Sequence, residues 1–151
     1  MDLILWRHAD AENGSHDSER KLTAKGIKQA ARMAKWLRAR LSENAVVLAS
    51  PARRAQQTAR ALTAEYKTVT EIGTSASAKD VLAACGWPGD ERTVVVVGHQ
   101  PTLGETAALL LSGAAQQWSL KKGAVVWIAG RAETGDASAV LRAAISPDLA
   151  G

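Results

Sequence analysis

The sequence predicts an α/β fold in which helices cover both faces of a mostly parallel central sheet, a three-layer α/β/α sandwich. Three segments, residues 3–6, 45–49 and 93–97, are dominated by apolar residues, the pattern of parallel strands that are buried on both faces. Helical patterns separate these segments, and two further strand patterns follow near the end of the chain. Strands that alternate with helices and end in a C-terminal hairpin indicate this layered architecture.

Length and composition are those of a globular protein with a single domain, residues 1–151. The one cysteine, Cys85, excludes an internal disulfide and a cysteine-based zinc site, and it fits a reducing compartment. No apolar run has the length of a membrane span, and the first residues lack the basic region of a signal peptide. We therefore expect a cytoplasmic protein without membrane contact, and a monomer. The formal net charge of +4 favours an anionic ligand or partner.

The first strand leads directly to Arg7 and His8, and a polar loop follows over residues 11–21. Thr23 is a favourable N-cap for a helix that extends to about residue 41, and Gly26 in its first turn indicates that another segment packs closely there. The outer face of this helix carries five cations at helical spacing: Lys25, Lys28, Arg32, Lys35 and Arg38. We interpret them as a solvated face, with docking of an acidic partner as the alternative.

The second strand, residues 45–49, is followed by Ser50 and Pro51, which predict a helix beginning here with an N-cap and a proline at its first position. Residues 69–72 have the pattern of a short strand. Residues 77–85 have that of a short helix that ends at Gly86.

The third strand, residues 93–97, ends just before His99. Thr102 and Glu105 have the spacing of a capping box and predict a helix through residue 111. Residues 124–129 and 138–145 predict two strands joined by a turn at residues 134–136.

Polar side chains follow each of the three apolar strands. Arg7 and His8 follow the first strand, residues 50–54 with Arg54 follow the second, and His99 follows the third. The ligand crevice of an open α/β sheet lies at the carboxyl ends of its strands, so neighbouring strands would bring these side chains together. Arginine matches phosphate oxygens bidentately, and a helix start adds unpaired N–H groups. A neutral imidazole in such a pocket is a nucleophile that needs no metal, which predicts phosphoryl transfer to a histidine nitrogen.

Four segments resemble motifs of the histidine phosphatase superfamily, in the order in which that family has them. Residues 5–9 resemble its Arg-His-Gly signature with Ala9 in place of the glycine, which indicates that this turn does not require a left-handed backbone. Residues 50–58 resemble its Ser-Pro-x-x-Arg-Ala-x-Gln-Thr segment. Residues 97–101 are similar to its second histidine motif, and residues 20–26 to its Arg-x-Leu-Thr-x-x-Gly loop. Within the superfamily, the small size favours the SixA-type phosphohistidine phosphatases.

The resemblance implies a phosphoglycerate mutase-like fold with no cap domain, and a reaction that needs neither cofactor nor metal. By this resemblance, His8 attacks phosphorus and becomes a phosphohistidine, which water then hydrolyses. Arg7 and Arg54 bind the equatorial oxygens, His99 adds a hydrogen bond as an imidazolium, and Arg20 is a further phosphate ligand. We expect the second ring nitrogen of His8 to donate its proton to a backbone carbonyl.

The identities of the proton donor and of the substrate depend on further features of the sequence. Larger relatives use an acidic residue from the region after the second helix; here Glu71 is the nearest carboxylate, and Asp10 lies close to His8. A phosphohistidine substrate eases the need for an acid, because a protonated imidazole leaves more readily than an alkoxide. We expect phosphohistidine on a partner protein, a histidine phosphotransfer or phosphocarrier domain, to be the substrate.

Two alternative functions are also compatible with the sequence. One is a phosphatase of small phosphoesters or nucleoside phosphates, and the other is a non-catalytic module that binds phosphate or a phosphoprotein. Nucleic acid is not an expected partner, because the six Trp and Tyr residues are scattered rather than interleaved with the basic helix.

Overall fold

A computed structural model describes residues 1–89, 91–133 and 136–151 of the chain. It contains six strands: β1 Asp2–Arg7, β2 Val46–Ala49, β3 Lys67–Thr68, β4 Thr93–Gly98, β5 Val125–Glu133 and β6 Asp136–Ile145. Four α-helices accompany them: α1 Ala24–Arg38, α2 Arg53–Leu62, α3 Ala78–Cys85 and α4 Thr102–Ser112. Short 3-10 helices lie at Asp17–Glu19, Thr70–Ile72 and Pro147–Leu149.

The six strands form one sheet in the order β3-β2-β4-β1-β5-β6. Neighbours among the first four strands are parallel, whereas β5 pairs antiparallel with both β1 and β6. The predicted α/β class, with a mostly parallel sheet and a C-terminal hairpin, is confirmed. Of the predicted hairpin turn, Thr134 and Gly135 lie outside the described residues.

Alternating side chains of the strands pack into two separate clusters, one on each face of the sheet. Leu3 and Leu5 of β1 lie in a cluster with buried residues of α3 and α4. Ile4 and Trp6 lie in the other cluster, with buried residues of α1 and α2. Because successive side chains of a strand point to opposite faces, this division shows the predicted three layers directly.

The close contact expected at Gly26 is present. A Cβ atom at this position would lie 2.0 Å from the backbone oxygen of Asp10, in the segment that follows β1. The Thr23 hydroxyl accepts the Gly26 N–H at 3.0 Å, so the predicted N-cap is also present. α1 ends at Arg38, three residues before the predicted end. The start of α1 is thus packed directly against the turn after the first strand.

Two predicted N-caps are wrong, although the helix expected at Thr102 does begin at that residue. α2 begins at Arg53, and its N-cap is Ala52 rather than Ser50, whose hydroxyl accepts the Ala52 N–H at 3.2 Å. Thr102 lies inside α4 instead of capping it, and its hydroxyl donates to the backbone oxygen of Ala76 at 2.7 Å. Each of these buried hydroxyls also contacts a group distant in sequence, His99 Nε2 at 2.7 Å for Ser50 and the Ala76 carbonyl for Thr102.

Of the strand and the helix predicted between α2 and β4, the helix is confirmed and the strand is displaced. The predicted strand at 69–72 is displaced: the strand is Lys67–Thr68, and Thr70–Ile72 is a 3-10 helix whose last residue enters the core. The predicted helix before Gly86 is confirmed as α3, which has a Ser77–Asp80 capping box and a left-handed Gly86 with φ +72°. Among the described residues, no helix is long and apolar enough to cross a membrane.

Candidate active site

Three neighbouring parallel strands, β2, β4 and β1, end at the same edge of the sheet. Backbone pairing continues just beyond two of them: His8 donates to Gly98 and Ser50 donates to Val97, each at 3.0 Å. His99 follows directly after β4. The sheet order therefore places residues that are about fifty and ninety positions apart in sequence at one edge.

The structure brings the two histidines together there. The ring centroids of His8 and His99 are 5.2 Å apart, and both side chains are buried. A cavity of 280 Å³ opens beside them. It is lined by Arg7, His8, Ala11, Asp17, Arg20, Arg54, Thr74, His99, Gln100 and Lys122. All five site residues expected from sequence thus border one cavity.

The contacts of His8 fix its tautomer. Its Nδ1 lies 2.8 Å from the backbone oxygen of Ala9, so this nitrogen must carry the proton. Its Nε2 receives the Nε–H of Arg54 at 3.3 Å and must therefore be the lone-pair nitrogen. Burial, and secondarily the arginines, lower the pKa of His8 to about 4, although the Ala9 carbonyl opposes the shift. At neutral pH, His8 therefore has an unprotonated Nε2, as a nucleophile requires.

His99 does not have the expected charge. Burial first, and then the neighbouring His8, lower the pKa of His99 to about 3, so its imidazole is neutral. The expectation of an imidazolium is wrong for this structure. Nε2 of His99 lies 2.7 Å from the Ser50 hydroxyl, while its Nδ1 is buried without a partner. Ser50 accepts the Ala52 N–H and can also donate its own proton to His99 Nε2, and in that arrangement the ring proton of His99 lies on Nδ1.

The arginines of the cavity are held in place by oxygen atoms of the backbone. Arg7 donates Nη1 to the Leu120 carbonyl at 2.7 Å, and its Nε is buried without a partner. Arg54 is buried and donates Nη1 to the Asp17 carbonyl at 2.7 Å. Arg53, by contrast, is exposed. The two unpartnered buried nitrogens, on Arg7 and His99, both belong to residues of this cavity and are donors that an acceptor oxygen would satisfy.

Asp17 is the most important cavity residue that the sequence did not indicate. Its carboxylate contacts Arg20 Nη1 and Arg54 Nη2, each at 3.1 Å. Hydrogen bonds from Arg20 and then Arg54 lower the pKa of Asp17, so it is ionised at neutral pH. In sequence it is one of several acidic residues in a polar loop, and nothing local distinguishes it.

Thr58 connects the His8 turn to α2. Its buried hydroxyl accepts the Ala9 N–H at 3.1 Å and donates to the Arg54 carbonyl at 2.8 Å. The neighbouring Gln57 accepts the Leu22 N–H at 2.8 Å. These bonds explain physically why a Gln-Thr pair follows the arginine: it fixes the turn after His8 and the loop that leads to α1.

Neither proton donor considered from sequence borders the cavity. Glu71 is exposed on the 3-10 helix after β3. Asp10 pairs with Lys122 at 2.7 Å and accepts the Thr23 hydroxyl at 2.7 Å, and these hydrogen bonds lower its pKa. Asp17 is the one carboxylate among the cavity-lining residues described.

Comparison with known proteins agrees with this arrangement. The sequence pattern of the histidine phosphatase superfamily (branch 1) matches residues 3–77. Phosphohistidine phosphatase SixA of Escherichia coli (strain K12) is 31% identical over 126 residues, which cover 75% of this chain and 76% of that protein. The chain belongs to the histidine phosphatase superfamily. The structure of the protein histidine phosphatase SixA with tungstate matches at a TM-score of 0.84 and 26% identity over 98% of both chains. The SixA-type assignment and the phosphoglycerate mutase-like fold are thereby confirmed.

The same fold occurs in a solved structure that holds a phosphoserine ligand. A phosphoserine phosphatase from Entamoeba histolytica, in complex with phosphoserine, matches at a TM-score of 0.73 and 18% identity over 97% of both chains. At this identity the likeness concerns the fold alone. The choice of substrate class therefore depends on the side chains of the cavity.

Proposed function

We propose that this protein is a phosphatase that uses His8 as its nucleophile, forms a phosphohistidine intermediate and dephosphorylates phosphohistidine on a partner protein. The observation that carries the proposal is the tautomer of His8. Its Nδ1–H is held by the Ala9 carbonyl, and its Nε2 lone pair borders a cavity with three arginines. Such a nitrogen is nucleophilic at neutral pH without a metal.

The first half-reaction transfers the phosphoryl group to the enzyme. His8 Nε2 attacks phosphorus in line, a P–N bond forms, and the bond to the leaving nitrogen breaks with its electron pair remaining on the substrate imidazole. Arg54 Nε, which faces the His8 lone pair at 3.3 Å, then donates to a phosphoryl oxygen instead. In the second half-reaction a water oxygen attacks phosphorus, the P–N bond breaks with its electron pair returning to His8 Nε2, and the water oxygen and its two protons leave as part of inorganic phosphate.

The remaining side chains stabilise the transferring group. Arg7 and Arg54 bind the equatorial oxygens, and Arg20 adds a further positive charge at the exposed side. His99 donates Nδ1–H to a phosphoryl oxygen as a neutral ring, held in orientation by Ser50. Positioned donors of this kind supply most of the catalysis in phosphoryl transfer.

Two observations favour phosphohistidine over phosphoesters. The carboxylate that borders the cavity, Asp17, is kept ionised by its arginines and is a poor acid for an alkoxide leaving group. Residues 55–98, as far as they are described, form the rest of α2, β3, a 3-10 helix, α3 and β4, with no inserted cap. An uncapped cavity is accessible to a phosphate carried on a protein surface.

A phosphatase of small phosphoesters is the second candidate. Asp17 lies within the cavity, and a carboxyl group in that position, if protonated, is suited to protonate an ester oxygen. The shared fold of a phosphoserine phosphatase is compatible with this alternative.

A substrate panel measured with and without a chelator tests the proposal. We expect kcat/KM for a phosphorylated histidine phosphocarrier protein to exceed that for phosphoserine, sugar phosphates and nucleoside monophosphates, with no effect of the chelator. Arg54→Ala should lose activity by about a hundredfold or more, the usual cost of one transition-state donor. Arg53→Ala, its exposed neighbour, is the matched control. Equal or faster turnover of sugar phosphates would contradict the phosphohistidine assignment.

A further inference from the structure

A wide groove of 820 Å³ adjoins the active-site cavity along one side of α1. Six cationic side chains line it: Arg7, Lys25, Lys28, Arg32, Lys121 and Lys122. Arg7 and Lys122 border both the groove and the smaller cavity. The groove is therefore continuous with the place where a phosphoryl group would bind.

The groove keeps most of its positive charge. Lys122 pairs with Asp10 at 2.7 Å and Lys121 with Asp148 at 3.8 Å. Lys25 and Lys28 are exposed, and no carboxylate of the described residues forms an ion pair with either.

The surplus of charge in the groove is large for so small a protein. Two of the six cations, Lys121 and Lys122, are paired with carboxylates. The net charge of the six cations and these two carboxylates is +4, which equals the formal net charge of the whole chain. Concentration of that charge on one face produces a field that attracts anionic surfaces.

The α1 cations of the groove lie along a line that leads away from the active site. Residues 25, 28 and 32 are spaced by three and four positions, so they share one face of the helix over about 10 Å. The active-site cavity has buried arginine and histidine donors, which suit a single phosphate in a fixed position. The groove instead has exposed lysines, mobile point charges that suit a group of carboxylates spread over a surface.

We infer that this groove binds an acidic segment of the phosphorylated partner protein while its phosphohistidine occupies the cavity beside His8. The inference rests on the proposed function and adds the recognition surface to it. The basic face of α1, interpreted from sequence as solvated, is thereby divided: Lys25, Lys28 and Arg32 contact the partner, whereas Lys35 and Arg38 do not line the groove. Charge complementarity of this kind raises the association rate and lowers KM, with little effect on the chemical step.

Two synthetic phosphohistidine peptides serve as probes. One carries a run of glutamates on one side of the phosphohistidine, and the other carries glutamines at the same positions. Lys25→Glu/Lys28→Glu changes the groove, and Lys67→Glu/Lys79→Glu changes two exposed lysines on β3 and α3. Each pair of changes lowers the formal net charge from +4 to zero, so the overall charge is matched. Urea unfolding midpoints identify any variant that fails to fold.

For the unmodified protein we expect kcat/KM to be about tenfold higher for the glutamate peptide than for the glutamine peptide. This preference should disappear at about 0.5 M salt, because screening then shortens the range of charge interactions to a few ångströms. Lys25→Glu/Lys28→Glu should lose the preference through KM at unchanged kcat. Lys67→Glu/Lys79→Glu should retain it.

Equal rates on the two peptides, or equal losses in the groove and control variants, would overturn the inference. Single-stranded RNA and polyglutamate are also compared as competitors of the glutamate peptide. Stronger competition by the RNA would assign the groove to nucleic acid and would likewise overturn the inference. Failure of the unmodified protein to hydrolyse either peptide would instead overturn the proposed function, so the two failures are distinguishable.

Discussion

Asp17→Asn should tighten the binding of inorganic phosphate to the active site. The Asp17 carboxylate lies 3.1 Å from a guanidinium nitrogen of Arg20 and 3.1 Å from one of Arg54. A bound phosphate would contact the same two guanidinium groups. A phosphate bound to Arg54 must share that arginine with a negative charge. Asparagine removes the charge, and the backbone carbonyl of residue 17, which receives Arg54 Nη1 at 2.7 Å, is retained. The position of Arg54 should therefore survive the change.

The magnitude follows from Coulomb's law in a high dielectric, because the Asp17 side chain is 59% exposed. A dianion about 5 Å from a carboxylate is repelled by about 1–2 kcal/mol at the dielectric constant of water. Removing this repulsion should lower the inhibition constant of phosphate by about 5- to 30-fold at low salt, and by less at high salt.

Competitive inhibition by inorganic phosphate, titrated at several salt concentrations, measures this effect. Glu43→Gln removes one negative charge from an exposed loop position and serves as the matched control. An unchanged or weaker inhibition constant in Asp17→Asn, with an unchanged unfolding midpoint, would refute the electrostatic reasoning.

Three further predictions concern stability. Gly26→Ala places a Cβ 2.0 Å from the Asp10 carbonyl and should destabilise the fold by about 3 kcal/mol or more in urea unfolding, while a loss below 1 kcal/mol would contradict the close packing. Thr58→Val leaves a buried N–H unpaired and should cost about 1–3 kcal/mol in the same assay, together with a loss of kcat; a neutral result would remove Thr58 from its linking role. In the unfolded chain His8 and His99 become protonated below about pH 6.5. In the folded chain their pKa values are lowered to about 4 for His8 and about 3 for His99. The free energy of unfolding should therefore fall as pH falls below 6.5, by about 3 kcal/mol for His8 alone. A stability that is flat between pH 6.5 and 4.5 would contradict these pKa values.

Much of the sheet could be predicted because its information is local. Continuous apolar runs such as 94–97 identify buried strands without any knowledge of their neighbours, and the polar residues at their ends identify one edge of the sheet. The N-caps predicted at Ser50 and Thr102 were wrong because each hydroxyl also contacts a group distant in sequence, His99 for Ser50 and the Ala76 carbonyl for Thr102. Local capping rules do not include such competition.

The electrostatics of the site were less predictable than its composition. Whether His99 is charged depends on burial and on the distance to His8, and neither is present in the sequence. The groove depends on the approach of Lys121 and Lys122 to α1 from about ninety residues further along the chain. Asp17 became visible only when its two arginines were placed beside it.

Trapping the covalent intermediate tests the central claim most directly. After incubation with a substrate that carries radioactive phosphate and a rapid alkaline quench, we predict an acid-labile, alkali-stable phosphate on the peptide that contains His8. Label should be absent from His8→Ala at an unchanged unfolding midpoint. Turnover at a normal rate with no label on His8, or with the label on His99, would contradict the assignment of the nucleophile.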